Sequence, residues 1–566
     1  MTAQLPSKRL IWTLFLLFLV TWLYMLGART LVPTDEGRYA EMAREMLATN
    51  DWITPRLNGI KYFEKPPLQN WMNALTFAAF GLGEWQARLW TGLCGLLGIG
   101  LVAWTGRRVF DARTGLYAAV ILASSFFWAA LSHVNTLDMG LAGMMAIALC
   151  SLLMAQRDDA SQRERRNWML ACWAGMALAV LSKGLIGIVL PGAVLVAYTL
   201  LQRDFGLWKR LHLGAGLLVF FAITVPWFVL VSLQNPEFLH FFFIHEHLQR
   251  FTSEVHSRAG PWYYFIPILA LGILPWLGVL FQGLLHGLRR PQGSSGRFHP
   301  NRLLLTWAVL IFVFFSVSGS KLPSYIIPIF PALALLIGGY LNRAGARPVM
   351  LAAGLVLLFC LIGLPFVPRI PELTSVQWEQ PLYQGYAWWV GAGAILGAIG
   401  SAFALIQARR DNANAMLTLA VTGFLVGQLI MLGHEPLGRY AAGTAHIPAL
   451  KAELQADTPL YSAGRYEQAL PFYLQRTLTL VEHPDEMRFG LTLEPQRWVP
   501  TRTEFANRWR AAHAANQRQV AIMSPPFHRA MQEQQLPMRV IAEDPRRVIV
   551  SNRLNADTTP STAPQR

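Results

Sequence analysis

Two short charged runs interrupt an otherwise apolar chain. VPTDEGRYAEMA (residues 32–43) brings Asp35, Glu36, Arg38 and Tyr39 together, and YFEKPP (62–67) adds Tyr62, Glu64 and Lys65. A carboxylate can take a proton or steady positive charge developing on a sugar, while Arg, Lys and Tyr are donors suited to a phosphate. Asp35 and Glu36 also read as acids at a helix start, favoured there by capping and the dipole. A cap needs neither the companion Arg38-Tyr39 nor a second cluster. Asp138, in SHVNTLDMGLAG, stands at the mouth of an apolar segment. An ionisable group there is a functional candidate because its isolated burial costs a few kcal/mol; the alternative is a surface residue snorkelling to water. Tyr62, Glu64 and Lys65 are aimed by the stiff Pro66-Pro67, or form a polar turn. Lys321 and Tyr325, in SGSKLPSYIIP, suit a lipid phosphate or an interfacial anchor. Lys183 is similar, or caps a tight hairpin. HFFFIHEHLQRF holds His240, His245, Glu246 and His247. These could bind a divalent metal with Glu64 or an aspartate, but the spacing matches no strong metal motif, which favours a satisfied interfacial cluster.

The elements that must position these groups cross a membrane. Of 566 residues, 54% are hydrophobic and 14% charged, against about a quarter charged in soluble domains. With roughly 20 apolar residues needed per crossing, about thirteen spans are expected. They lie near 10–27, 86–106, 114–132, 138–155, 167–181, 185–202, 212–233, 261–286, 302–318, 324–341, 348–367, 386–407 and 415–433. Much of the net charge of +16 falls in alternate loops, from Lys8/Arg9 and Arg107/Arg108/Arg113 to Arg409/Arg410. That is the pattern of a cytoplasmic side, so a nucleic-acid partner is not expected. The first segment reads as a retained anchor rather than a cleaved signal, since no convincing small-residue site follows it. The four cysteines lie in apolar segments without metal or disulfide spacing.

This parity puts the 28–85 loop, the turn before Asp138, the 234–260 loop, 319–323, 368–385 and everything after about 434 on the outer side. The first loop breaks the basic-residue rule with Arg29, Arg38, Arg44, Arg56, Lys61 and Lys65, which implies an anionic partner. Within it, Gly37–Thr49 and Leu68–Phe80 read as short helices in the interface. The tail alternates β-rich stretches (460–462, 478–481, 519–523, 539–542, 547–550) with helical ones (467–475, 503–514, 526–534), a small soluble α/β domain. Gly-rich phosphate motifs are absent from it, and residues 556–566 read as disordered. The expected division is a membrane domain over 1–433 and an outer domain over 434–566.

An outward cavity lined by acids and bases at headgroup depth fits group transfer from a lipid-carried donor, with no nucleotide cofactor. A polyprenyl-phosphate sugar suits it. Phosphate leaves well without a general acid, and the useful work is electrostatic. TDEGRY, YFEKPPL, an Asp at the start of the fourth span, and SKLPSYIIP together resemble the GT-C-type lipid-dependent glycosyltransferases. More narrowly, they resemble the bacterial 4-amino-4-deoxy-L-arabinose transferases that modify lipid A. The resemblance covers the whole chain. It implies a polytopic α-helical protein of the bacterial inner membrane, N-terminus cytoplasmic and C-terminal domain periplasmic. The implied reaction moves aminoarabinose from undecaprenyl phosphate to a lipid A phosphate, lowering the charge that attracts polymyxin and other cationic peptides. It implies Asp35 and Asp138 as essential acids, and Arg38, Tyr62, Lys65 and Tyr325 as donor-phosphate ligands; Tyr39 and Lys321 join that set. Glu64, with His245, is the implied metal pair. An acceptor phosphate is already anionic, so the two aspartates have an alternative role in positioning the donor. A monomer is expected.

Other readings stay open at this point. A related transferase could use another sugar or a protein acceptor. A flippase or transporter would show paired broken helices at mid-membrane or inverted repeats, and neither is evident. A receptor-like scaffold would leave Asp35 and Asp138 without a purpose.

Overall fold

The computed structural model describes residues 7–243, 260–289 and 297–554, with the backbone alone for Asp485. His245, Glu246 and His247 therefore lie outside the described residues, as does the segment 556–566. The chain forms two compact units. One comprises Met1–Arg29, Trp52–Thr54 and Phe63–Leu437; the other comprises Thr30–Asp51, Pro55–Tyr62 and Gly438–Arg566. The segment 28–85 is thus shared between them.

The first unit is helical. Its elements begin with α1 (Lys8–Met25), α3 (Leu68–Phe80), α4 (Glu84–Val109), α5 (Ala112–Ser124), α6 (Phe126–Ser132), α7 (Leu137–Gln156), α8 (Gln162–Lys183) and α9 (Ile186–Gln202). Among the described residues, nine helices are long and apolar enough to cross a membrane. The number becomes eleven if two bent pairs each count as one span: α5 with α6, at 64°, and Phe265–Gly272 with Leu277–His286, at 104°. Helices occupy the other two expected positions as well. However, α8 opens on Arg163, Glu164, Arg165 and Arg166, and α9 has 17 residues. The centre of this unit is α7, which is apolar all round and buried along nearly its whole length, as a helix without a polar face must be. Local signals set the ends. Ser161 and Glu164 form a reciprocal capping box at the start of α8, and Gly184, with φ of +81°, ends it. Pro67 precedes α3, which stops at Gly81.

The second unit is built on a six-stranded sheet in the order β5-β4-β3-β6-β8-β7. The strands are β3 (Leu460–Ala463), β4 (Thr479–Val481), β5 (Trp498–Val499), β6 (Val520–Met523), β7 (Arg539–Asp544) and β8 (Arg547–Ser551). β5, β4, β3 and β6 run parallel, while β8 and β7 add on antiparallel. Strands buried on both faces read as continuous apolar runs, as Val520–Met523 does. Phe505, Trp509 and Phe527 from the helices Arg502–Ala514 and Pro525–Glu533 close one face.

To this sheet the second unit adds α2 (Asp35–Thr49) and a hairpin of β1 (Arg56–Leu57) and β2 (Ile60–Lys61). Asn58-Gly59, with φ of +57° and +72°, makes the two-residue turn, the backbone that Asn-Gly adopts most readily. α2 is buried from Glu36 to Met46, beyond the single apolar face its spacing shows. Gly37 makes this packing possible, because a Cβ there would sit 2.6 Å from the Ala469 Cα. Asn58 completes the seam, donating to the Leu478 carbonyl and accepting from its N–H, both at 2.7 Å.

Candidate active site

Each unit carries one group of the residues singled out above. In the membrane unit the group centres on Asp138, in the first turn of α7 after the extended Thr136. Oδ1 of Asp138 pairs with Nζ of Lys183, the last residue of α8. Oδ2 accepts from the Ser324 hydroxyl at 2.9 Å. The Lys183 ammonium also lies 4.6 Å from the centroid of the Tyr325 ring, a cation–π distance. Ser324 and Tyr325 both belong to the tight helical segment Pro323–Ile329. Three separate elements therefore meet around one carboxylate, and all of them are buried or half-buried.

Lys321 stands just before that segment, buried, with its ammonium donating to the Ser318 carbonyl. Lys65 donates to the Glu64 carbonyl at 2.8 Å. Next to Asp138 in the chain, Asn135 accepts from Gln69 at 2.8 Å and from Asn73 at 2.9 Å, which ties the turn before α7 to α3.

In the second unit the group centres on Arg38. Its guanidinium is 2.6 Å from the Glu486 carboxylate, 3.3 Å from the Tyr62 hydroxyl and 3.7 Å from Asp35. The Tyr62 hydroxyl in turn donates to Glu486 at 3.1 Å. Burial works against the Arg38 charge, but Tyr62, Tyr39, Glu486 and Asp35 outweigh it and hold the guanidinium firmly protonated. Asp35 is the least buried of the set, with 45% of its side chain exposed. Glu36 has the plainer role. It accepts from the Val32 N–H at 2.9 Å, tying down the segment that leads into α2.

The sequence pointed to Asp35, Arg38, Tyr39, Tyr62, Lys65, Asp138, Lys321 and Tyr325, but not to Glu486 or Ser324. Glu486 lies more than four hundred residues from Arg38, in a short 3₁₀ turn with no motif of its own. Ser324 is inside the SGSKLPSYIIP stretch, so a signal was present there. Glu64 is half-buried, and among the described residues no group of three or more His, Cys, Asp and Glu side chains could hold a metal ion. His245, the other residue of the expected metal pair, lies outside the described residues.

These features can be set beside known proteins. Residues 446–552 match the aminoarabinose transferase C-terminal domain, and residues 64–229 match the dolichyl-phosphate-mannose-protein mannosyltransferase family. The undecaprenyl phosphate-alpha-4-amino-4-deoxy-L-arabinose arabinosyl transferase of Edwardsiella ictaluri (strain 93-146) is 30% identical over 524 residues, 88% of this chain and 91% of the relative. This chain belongs to that transferase family. The enzyme of the same name from Pseudomonas aeruginosa (strain UCBPP-PA14) is 34% identical over 67% of this chain and 68% of its own. Among solved structures, ArnT from Cupriavidus metallidurans bound to undecaprenyl phosphate is 42% identical. It superposes with a TM-score of 0.92 over 97% of this chain and 99% of that one. The apo form of the same enzyme gives a TM-score of 0.90 at 43% identity, over 96% and 98%. The fold is therefore GT-C-like with a C-terminal α/β domain, and the chain is a polytopic membrane glycosyltransferase.

Proposed function

We propose that this protein transfers 4-amino-4-deoxy-L-arabinose from undecaprenyl phosphate to a phosphate of lipid A, at the periplasmic face of the bacterial inner membrane. The observation that carries this reading is the near full-length likeness to a transferase solved with undecaprenyl phosphate bound. The alternation of basic loops supports a cytoplasmic N-terminus and a periplasmic C-terminal domain. Transfer breaks the bond between the sugar's anomeric carbon and the donor phosphate oxygen, whose electron pair stays with undecaprenyl phosphate. It forms a bond from that carbon to an anionic oxygen of the acceptor phosphate. No proton has to be removed from such an oxygen, so the need is for cations that steady the leaving phosphate and anions that steady the sugar.

In this reading Tyr39, Lys65, Lys321, Tyr325 and the Arg38–Tyr62 pair are donor-phosphate ligands. Asp35 and Asp138 are the acids on which transfer depends. Asp35, the more exposed, suits the developing charge on the sugar or the donor's ammonium. The result for the membrane is a less anionic lipopolysaccharide that attracts cationic peptides such as polymyxin less strongly. The test is a transfer assay with purified protein, undecaprenyl-phosphate aminoarabinose and lipid A, read by mass spectrometry of the lipid. A mass gain of one aminoarabinose, abolished in Asp35→Asn, is expected. Folded wild-type protein that produces no gain would refute the reaction, and other lipid-linked sugars would then be tried in its place.

A further inference from the structure

We infer that Lys183 is a further functional residue of this site, and that Asp138 is the residue that positions it rather than a proton acceptor. The inference rests on the lipid-phosphate donor proposed above. Both carboxylate oxygens of Asp138 are engaged, one by the Lys183 ammonium and the other by the Ser324 hydroxyl. An acceptor that is already anionic gives the carboxylate no proton to take. What the arrangement does achieve is to fix a cation. Lys183 is the final residue of α8, and the chain turns at once through Gly184 into α9. Its long stem would otherwise sample many rotamers, at a cost whenever it is ordered on a ligand. Asp138 on one side and the face of Tyr325 on the other hold it before any ligand arrives. A preset charge of this kind steadies a departing phosphate without reorganising as the reaction proceeds.

A purely structural purpose explains the group poorly. Well-packed apolar residues commonly stabilise as much as a buried ion pair or more, and charges within membrane spans are otherwise rare and mark function. The pair is also placed with purpose. Tyr325, the ring under the ammonium, is itself one of the groups assigned to the donor phosphate, so the cation sits where that phosphate would arrive.

The experiment uses the full-length protein and the variants Lys183→Gln, Lys183→Arg, Asp138→Asn, Ser324→Ala and the double Asp138→Asn/Lys183→Gln. Three quantities are measured: kcat and KM for transfer, the affinity for undecaprenyl phosphate alone, and the unfolding temperature. Lys183→Gln and Asp138→Asn should each lower kcat by about 10²–10³-fold, the loss seen when one preorganised electrostatic group is removed. Because both act through one cation, the double variant should fall no further than the worse single one. Lys183→Arg should recover part of the loss, and Lys183→Gln should weaken undecaprenyl phosphate binding. Ser324→Ala should lower kcat mildly and in the same direction, which keeps the question answerable should the charge variants fail to fold. The inference is overturned by wild-type kinetics and affinity in Lys183→Gln. It is overturned equally by losses that multiply in the double variant, or by an Asp138→Asn defect that a higher pH repairs. If the wild type binds undecaprenyl phosphate and transfers nothing, the proposed reaction fails, while the binding arm still tests Lys183.

Discussion

Glu45 supplies the sharpest test of how α2 is held. It lies in mid-helix, buried, with one oxygen accepting from the Gly59 N–H at 2.6 Å and the carboxyl within hydrogen-bonding reach of Glu41. The adjacent Glu41 is fully buried and already bound by Arg44 through two contacts of 2.6 and 2.7 Å. A second ionised carboxylate beside it would leave this interior net negative. Burial, reinforced by the charge of Glu41, pushes the Glu45 carboxyl well above the usual carboxylate range, and the Gly59 and Arg44 contacts do not offset this. The sign follows from that direction. The folded form holds its proton more tightly than the unfolded chain, so the stability due to Glu45 is fully present below about pH 4.3, the unfolded value, and is lost as pH rises through the raised one. Glu45→Gln keeps the shape and the acceptor for Gly59 and removes the ionisation. It should therefore be near neutral at pH 4 and stabilising at pH 8.5, by about 1–3 kcal/mol, the cost of an uncompensated buried polar group. The assay is thermal unfolding of the full-length protein at both pH values, with amide hydrogen exchange over Asp35–Thr49 to localise the change. A variant less stable than wild type at pH 8.5, or a difference that ignores pH, would refute the reasoning.

Two further outcomes are expected. Asn58→Ala strips both hydrogen bonds from Leu478 and places a less suitable residue at φ of +57°. It should cost about 2 kcal/mol or more in unfolding free energy, and faster exchange at the Leu478 amide would localise the loss. Glu486→Ala takes away the carboxylate 2.6 Å from the buried Arg38 and the acceptor for Tyr62. A loss of about 1–2 kcal/mol is expected, moderated because Glu486 is partly exposed, together with a raised KM for the donor as Arg38 loses its fixed direction; an unchanged KM would separate Glu486 from the donor site.

Much of this was legible in the sequence because much of it is local. The span positions follow from apolar length, α3 from its start after Pro66-Pro67, and the strands of the tail from their runs of Val, Ile and Leu. β5 escaped because two residues carry no period. The β1–β2 hairpin escaped although Asn58-Gly59 is a strong turn signal, since strands of two residues each show no alternation. The site divides in the same way. Asp138 was visible as an ionisable residue at a span mouth, and Tyr325 as part of a Pro-stiffened motif. That Asp138 holds Lys183, 45 residues on, or that Glu486 holds Arg38, depends on which surfaces pack together. No local pattern records that.

One consequence of the divided second unit concerns how the protein is made. Asn58 finds its partner only when Leu478 exists, 420 residues later, and the Leu31 N–H waits for the Tyr473 hydroxyl over 442. At elongation rates of roughly 5–20 residues per second this interval is roughly 20–90 s. Throughout it, α2 and the hairpin carry Glu41, Glu45 and Asn58 without the surface that is to bury them, while the ribosome threads the spans between. The second unit is therefore begun almost first and finished last. A nascent chain that stalls after the final span would be left with an unfinished N-terminal segment as well as a missing tail, which gives quality-control proteases a target near the start of a protein whose fault lies at its end.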